Sequence, residues 1–523
     1  MVATSVRVDT ISSIDPATGR VLGSFEKTSP LTVPELMAKA RAAQSHWANL
    51  ATNERRGRIR ELQRQILIAC EGLADAVVRE SGKPRTEAIF ADIFVALDTA
   101  GYFAKNGTDS MRPERVAHHN IAAKAKSGTI YYEPLGVLGI ISSWNYPLAI
   151  PLSQIIAAVA VGNAVLCKTS DVTPECGVLI EKLVRHAGFP NDLITVLQGG
   201  GEIGQALIEA HPDKIFFTGS VETGRKIAEA CARQLIPSVL ELGGKDAMLV
   251  LRDANLEVAS SAAVWGSFTN CGQVCLSVER LFVEQAVADE FIRRCVEKTQ
   301  KLRIGPGSDP ATDLGPLIRP QHVQRMVELV GEAVQGGARV VCGGRARPEL
   351  GPNFFEPTIL TGVNKSMRLF QDETFGPIMA IEIVKDADEA VRQANDTEFS
   401  LSASVWTGDT SQGKSIARRL RAGTVMVNDL ISAFAIAEAP HGGSGLSGWG
   451  RTHGKAGIAE MVSVKYVDVD RLPGLSKPWW FRYGAELQNA ADAFLKFEFG
   501  GSVASRTRNA RAALKMMFRN HGF

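Results

Sequence analysis

The hydrophobic pattern changes twice along the chain. Up to about residue 105, apolar positions recur at helical spacing. Helices are predicted over 41–50 and 55–80, with Ser81-Gly82-Lys83-Pro84 as a stop, and over 86–103. From Gly136, short apolar runs alternate with amphipathic segments. They predict strands at 136–142, 164–168, 193–197, 214–217 and 238–242, with helices near 151–161, 174–187, 201–210 and 222–233. A second series after Gly243-Gly244 predicts strands near 248–250, 280–283, 339–342, 379–383, 401–406 and 424–428, with helices between them. Such alternation marks a mostly parallel sheet covered on both faces. Two α/β units meeting near residue 243 leave a cleft there, the usual place for a ligand.

From Pro134 to Cys167 no residue is charged. Asn145, Pro147, Pro151, Gln154 and Asn163 interrupt the stretch, so it reads as buried strand, loop, helix and strand instead of a membrane span. At 523 residues the chain is too long for one core, and its composition, 45% hydrophobic and 22% charged, is that of an ordinary globular protein. A net charge of +2 supplies no basic field for a nucleic-acid partner. The first residues lack the apolar run of an export signal, and Asp15–Gly19 reads as a turn. Eight cysteines in such a length do not suggest a disulfide scaffold, so a reducing cytoplasm is the expected compartment.

Gly199-Gly200-Gly201-Glu202-Ile203-Gly204 fits a dinucleotide fingerprint, but the next strand ends in Thr218-Gly219 where that fingerprint wants an acid. A glycine-rich turn explains it equally well. The segment Gly219–Lys226 lacks the Lys-Ser/Thr pair of a triphosphate loop. A Thr-Gly-Ser turn entering a helix still offers N–H groups to an anion, or is simply a helix cap. Cys275 follows an apolar helix in Asn270-Cys271-Gly272-Gln273-Val274-Cys275 and is a candidate nucleophile. Cys70, Cys167, Cys176, Cys231, Cys295 and Cys342 read as buried small hydrophobes. Cys271 and Cys275 lack the further Cys or His pair a zinc site needs, so no metal is expected. Glu241, at a strand end before Leu242-Gly243-Gly244-Lys245, suits a general base at a cleft, although a surface Glu at a strand end is common.

Six motifs in order resemble the aldehyde dehydrogenase superfamily: Ser143–Pro147, Phe217–Ser220, Leu240–Lys245, Gly272–Cys275, Glu373–Pro377 and Ser447–Arg451. The resemblance covers roughly residues 10 to 470. It implies an α/β fold with a Rossmann-type cofactor domain (1–115 and 134–243), an α/β catalytic domain (244–445) and small oligomerisation strands (116–133 and 458–470). It further implies NAD(P)-dependent oxidation of an aldehyde to the acid, by a homodimer or homotetramer. Cys275 would attack the aldehyde, Asn145 and the Cys275 N–H would hold the oxyanion, and Glu241 would activate water against the thioester. Ser142, Ser143, Trp144, Lys168, Asp171, Gly219, Ser220, Gly224, Leu242, Glu373 and Phe375 would bind the cofactor. Ile150, Ser153, Val274 and Leu276, small or aliphatic, would line the substrate tunnel, and no Arg among them awaits a second carboxylate.

Two departures stand out. Lys168-Thr169-Ser170-Asp171 replaces Lys-Pro-Ser-Glu, which shortens the acid that meets the ribose hydroxyl. NAD is the expected cofactor, with NADP as competitor. Pro440-His441-Gly442-Gly443 replaces Pro-Phe-Gly-Gly and is most similar to branches acting on aliphatic or aromatic aldehydes. Retention of Glu241 disfavours a CoA-acylating enzyme, and Asn145, Glu241 and Cys275 together disfavour a non-catalytic scaffold. The extension 471–523 carries nine Lys or Arg against Glu486, Asp492 and Glu498, a net +6, with aromatic anchors from Trp479 to Phe518. It reads either as a peripheral membrane segment or as an arm packed on the body or a partner subunit, and the interrupting acids favour the arm.

Overall fold

The computed structural model describes residues 9–105, 107–120, 123–474, 477, 479–481 and 483–517. Phe518 and Arg519 of the aromatic and basic tail lie outside the described residues. The chain divides into two compact units, Met1–Thr108 with Pro134–Val462, and Asp109–Glu133 with Ser463–Phe523.

The larger unit holds two large sheets and a two-stranded one. In the first, strands run in the order Gly448–Trp449, Ser238–Glu241, Lys214–Thr218, Val137–Ile141, Ala164–Lys168, Ile194–Leu197. All neighbours are parallel except the short first strand, whose Gly448 pairs with Glu241. The chain starts this sheet at Val137–Ile141, builds outward on one side, then crosses to build on the other. The order therefore reverses between Val137–Ile141 and Lys214–Thr218, and a crevice opens beyond their carboxyl ends. The second sheet has seven strands, ordered Arg339–Cys342, Thr358–Thr361, Ile378–Val384, Val278–Glu284, Asp246–Val250, Ser402–Trp406, Thr424–Val427, with only the first pair antiparallel. Its central strands are buried on both faces, as continuous apolar runs require.

The uncharged stretch is resolved as expected: strand Val137–Ile141, helix Ala149–Ala160 with all twelve residues buried, and strand Ala164–Lys168. No helix among the described residues is long and apolar enough to cross a membrane.

The N-terminal third differs from its pattern. The predicted helix 55–80 is two, Thr52–Ile68 and Cys70–Ser81, because Ala69 leaves helical geometry at φ −87°, ψ 2°. The break lets Leu62 and Ile66 on one side, and Leu73 and Val77 on the other, reach the core from different directions. The helix predicted from 41 already starts at Val33, where Pro34 is tolerated in the first turn. Within 86–103, Ala88–Ile93 is wound as a π-helix before Phe94–Lys105 resumes the α-helix. That extra residue per turn brings Asp92 fully inside. A hairpin, Thr10–Ile14 with Val21–Glu26, was not predicted beyond its turn. Cys70 and Cys342 are half-buried, unlike the other cysteines read as core: one begins the helix after the break, the other ends an edge strand.

The smaller unit contains a three-stranded antiparallel sheet, Val462–Asp470, Lys126–Pro134, Glu114–Val116, and two helices, Ala485–Phe499 and Val503–Met517, which pack on each other. Leu487, Ala493, Ala513 and Met516 are buried there, while Trp479, Trp480, Phe481 and Tyr483 are exposed.

Candidate active site

A cleft of about 340 Å³ lies at the crevice where strand order reverses. One wall carries Ser143, Trp144 and Asn145, which follow strand Val137–Ile141. Gly219 and Ser220 follow strand Lys214–Thr218, and Glu241, Leu242 and Gly243 follow the next strand. The opposite wall supplies Cys275, Glu373 and Phe375. Sequence reasoning missed His322 and Arg325. They lie three apart on helix Pro320–Gln335, so one polar face of an amphipathic helix was the available signal. Ser142, Lys168, Asp171 and Gly224 do not line the cleft. Gly224 packs beneath Leu242, whose methyl carbon lies 2.6 Å from where a Cβ would sit. Lys168 is buried at the end of the neighbouring strand, and the half-buried Asp171 follows in the turn. The Gly200–Gly201 turn caps helix Gly201–Glu209 away from the cleft lining.

Asn145 is 3% exposed and held from three directions. Its Oδ1 accepts from Ser143 Oγ at 2.7 Å, and its Nδ2 donates to Gln273 O at 3.1 Å, leaving one amide N–H uncommitted. Its carbonyl accepts from Lys83 Nζ at 2.6 Å and from Asn270 Nδ2 at 3.2 Å. Lys83 in turn pairs with Asp92 Oδ2 at 3.0 Å, both fully buried, and Asp92 Oδ1 accepts the N–H groups of Leu148 and Ala149.

The cysteine segment leaves helix Leu256–Phe268 through Asn270, Cys271 and Gly272, all at positive φ. Glu87 steadies this turn by accepting from Thr269 Oγ1 at 3.1 Å and Asn270 N at 2.8 Å, and burial pushes its carboxyl up to about 7. Gln273 Oε1 accepts from Ile318 N at 2.9 Å. Cys275 emerges half-buried at the cleft, whereas Cys271 is in the core. Burial pushes the Cys275 thiol upward, and the Asp246, Glu373 and Glu241 carboxyls push it the same way.

Glu241 is 6% exposed, and neither carboxyl oxygen has a hydrogen-bond partner. Burial raises it well above the usual carboxylate range, against the pull of Arg451. Glu373 accepts from Gly244 N at 3.2 Å and is pushed up to about 8, chiefly by burial and then by Glu279. Glu279 accepts from Lys245 Nζ at 2.6 Å and from the N–H groups of Thr374 and Phe375, which fixes the loop carrying Glu373 and Phe375. Phe375 meets Trp144 edge to face at 5.7 Å. Ser220 caps helix Val221–Arg233 by accepting from Thr223 N at 3.3 Å, so the positive end of that helix starts where Gly219 and Ser220 line the cleft.

A sequence model of the Aldehyde dehydrogenase family matches residues 3–467. A relative from Mycobacterium tuberculosis, named "Putative succinate-semialdehyde dehydrogenase [NADP(+)] 2", is 38% identical over 463 residues, 88% of this chain and 89% of that protein. The 4,4'-diapolycopene aldehyde oxidase of Methylomonas sp is 35% identical over 512 residues, 97% of this chain and 94% of that protein. That coverage leaves too few residues over for the tail to lie outside the likeness. The solved NAD+ complex of an aldehyde dehydrogenase from Bacillus cereus superposes with a TM-score of 0.84 at 31% identity, covering 88% of this chain and 93% of that one.

The Lys83–Asp92 pair generates a prediction. Asp92→Ala leaves a buried, unpaired ammonium and two unmet N–H groups, and should cost about 3–5 kcal/mol in urea denaturation. Asp92→Asn keeps an acceptor for Leu148 and Ala149 and should lose less. Equal stability of Asp92→Ala and the parent would show that the pair is not what holds this region.

Proposed function

The chain belongs to the aldehyde dehydrogenase family, and we propose that Cys275, Asn145 and Glu241 carry its chemistry on an uncharged aliphatic or aromatic aldehyde. It is an NAD(P)-dependent aldehyde dehydrogenase, which oxidises an aldehyde to the carboxylic acid. The observation that carries the residue assignment is their convergence. One cleft gathers a reachable thiol, an amide with an uncommitted N–H and a buried carboxyl without a partner.

The residues along the crevice fit a dinucleotide. Ser142 Oγ is buried without a partner beside strand Val137–Ile141, and the helix start at Ser220 lies across the switch point. We assign the pyrophosphate to Gly219 and Ser220, with Gly224 letting Leu242 close beneath them. The adenosine ribose falls to Lys168 and Asp171, and the nicotinamide end to Glu373 and Phe375. NAD is the preferred form, because Asp171 and Glu202 both present negative charge to Lys168, where a 2′-phosphate would go.

Cys275 Sγ adds to the aldehyde carbon as the thiolate, its proton given up to solvent, and the carbonyl oxygen takes the electron pair. That oxyanion is met by the free Asn145 N–H and the Cys275 N–H, each such donor being worth roughly 3 kcal/mol. Bound NAD(P) supplies the ring that accepts hydride from this adduct. A thioester on Cys275 remains. Glu241 takes a proton from water as the water oxygen attacks the thioester carbon, the C–S bond breaks, and the acid leaves.

The substrate assignment rests on the wall around the thiol. Val274, Leu276 and Leu401 form an apolar cluster with Tyr146, Ile431 and Phe434 against Cys275, and Ile150 lines the cleft. Ser153, expected in that wall, faces Thr99 Oγ1 at 3.4 Å. Arg325 reaches the cleft beside Glu373, to whose carbonyl it donates at 2.7 Å, and so stands at the end we assign to the nicotinamide and not among the apolar residues around the thiol. An aldehyde panel run separately with NAD and NADP tests this. Preference for succinate semialdehyde over apolar aldehydes would overturn the substrate reading.

We divide the chain into a cofactor-binding domain, 1–115 and 134–243, and a catalytic domain, 244–445. We assign 116–133 and 458–470 to homo-oligomer assembly. In support, Val462–Asp470 is an edge strand exposed along most of its length, with Val464, Tyr466 and Val469 uncovered. The extension 471–523 is assigned as a packed arm in place of a lipid anchor, and the cytoplasm as compartment, in keeping with eight free thiols.

Three outcomes test the reaction. Cys275→Ala should lose oxidation entirely while binding NAD, and Cys271→Ala should retain most activity; the reverse pattern would mean that the motif has been misassigned. In Glu241→Gln, an NADH burst should precede turnover slowed on the order of 10²-fold. Because burial raises Glu241, its base form is lost as pH falls, so the parent's deacylation rate should climb with pH past the ordinary carboxylate range and the variant's should not. Asp171→Glu should raise the NAD-over-NADP ratio of kcat/KM about fivefold, the effect of charge moved nearer a 2′-phosphate. An unchanged ratio would remove Asp171 from cofactor choice.

A further inference from the structure

A base must be anionic to work, and Glu241 is buried where its charge is expensive. His441 Nε2 lies 3.5 Å from Glu241 Oε2, both residues being buried, and is the only Lys, Arg or His nitrogen in ion-pair reach of that carboxyl among the described residues. We propose that His441 is a positioning residue that donates Nε2–H to the ionised Glu241 carboxylate and so sets the pH at which deacylation runs. This rests on Glu241 being the base.

The surroundings hold the ring for that task. His441 and Thr452 exchange backbone hydrogen bonds at 2.8 and 2.9 Å across an antiparallel bridge. The ring packs edge-on to Phe434 at 5.1 Å, and Gly442 leaves room for the carboxyl, since a Cβ there would sit 2.7 Å from Glu241 Oε1. At 3.5 Å the contact is longer than a hydrogen bond, and a small rotation of either side chain closes it. Arg451 also favours the ionised Glu241 through its charge, but it and His453 make their hydrogen bonds elsewhere. Arg451 donates to Gly443 O at 2.8 Å and Gly450 O at 2.6 Å, and His453 Nδ1 contacts Thr452 Oγ1 at 3.1 Å. Cys275, with Glu373 and Asp246 around it, adds only potential negative charge. Burial, His453 and Arg451 pull His441 down to about 3, so the imidazole is neutral at working pH. It thus acts as a dipole and donor, with Nδ1 as the acceptor nitrogen.

The experiment follows acyl-enzyme decay after the NADH burst, as a function of pH, in the full-length enzyme. His441→Phe fills the ring space and removes the donor. Its burst and its aldehyde KM should stay near the parent's, while its deacylation limb moves up by about one pH unit, slowing deacylation about tenfold at neutral pH (about 1.4 kcal/mol) and recovering at alkaline pH. His441→Gln keeps an N–H donor and should leave the limb near the parent's. A limb unmoved by Phe, or moved as far by Gln as by Phe, overturns the inference. Glu241→Gln separates the two readings. Fast turnover in that variant removes the base and this inference together, whereas slow turnover there with an unmoved His441→Phe limb removes this inference alone.

Discussion

Lys83 and Asp92 form an ion pair with no exposure to solvent, and much of the site hangs from it. Such a pair repays its desolvation only when the remaining donors and acceptors are also met. Here they are: the ammonium also donates to the Asn145 carbonyl and lies 4.1 Å over the Tyr146 ring, and the carboxylate takes two N–H groups at the start of helix Ala149–Ala160. The π-helical turn that carries Asp92 inward is therefore tied to the Asn145 loop. Through Asn270, that loop is tied to the segment that presents Cys275. Lys245 and Glu279 repeat the device for the loop of Glu373 and Phe375. The groups proposed to react sit on loops, and buried ion pairs tie those loops to their neighbours.

The electrostatics of the cleft share one sign. Glu241, Glu373 and Asp246 are all raised by burial, and the Cys275 thiol is raised by burial and by all three. Each group is biased toward its neutral form, so the resting site carries little charge and its sulfur is a weak nucleophile. A cation entering the cleft acts in the opposite direction on every one of them. On the roles proposed above, the Asn145 amide and the His441 imidazole are neutral donors that would stabilise anions there without adding a permanent charge.

What the sequence made legible follows from burial. Parallel strands covered on both faces write continuous apolar runs, so Val137–Ile141, Ala164–Lys168 and Asp246–Val250 were readable within a residue or two. The helix break at Ala69 and the π-helical turn at Ala88–Ile93 were not, because neither changes composition; each redirects a face whose target is distant in sequence. Strand Glu114–Val116 is too short to show a period, whereas Val462–Asp470 does alternate, as Val-Ser-Val-Lys-Tyr and then Val-Asp-Val-Asp, although most of it is exposed. The motif residues were found through resemblance, since no periodicity marks a loop side chain. Gathering Ser143, Asn145, Glu241, Cys275 and Glu373 into one cleft required the strand order, which no local pattern encodes.

The motif glycines act mainly as clearances. A Cβ at Gly243 would lie 2.2 Å from Glu373 Oε2, and one at Gly272 would lie 2.2 Å from the Gly376 carbonyl oxygen. Gly272 also needs φ +70°, so a side chain there meets both strain and backbone. At Gly442, with φ +138°, the missing side chain is the space in which the Glu241 carboxyl sits. Gly243 and Gly442 each let a residue of one sheet meet a loop of the other, whereas Gly272 lets two loops of the seven-stranded sheet close on each other. The two α/β layers can bring a thiol, an amide and a carboxyl within one small cleft only because the backbone between them carries no side chains at those points. The glycines that read as turns along the chain are therefore as much a part of the site as the residues that react in it.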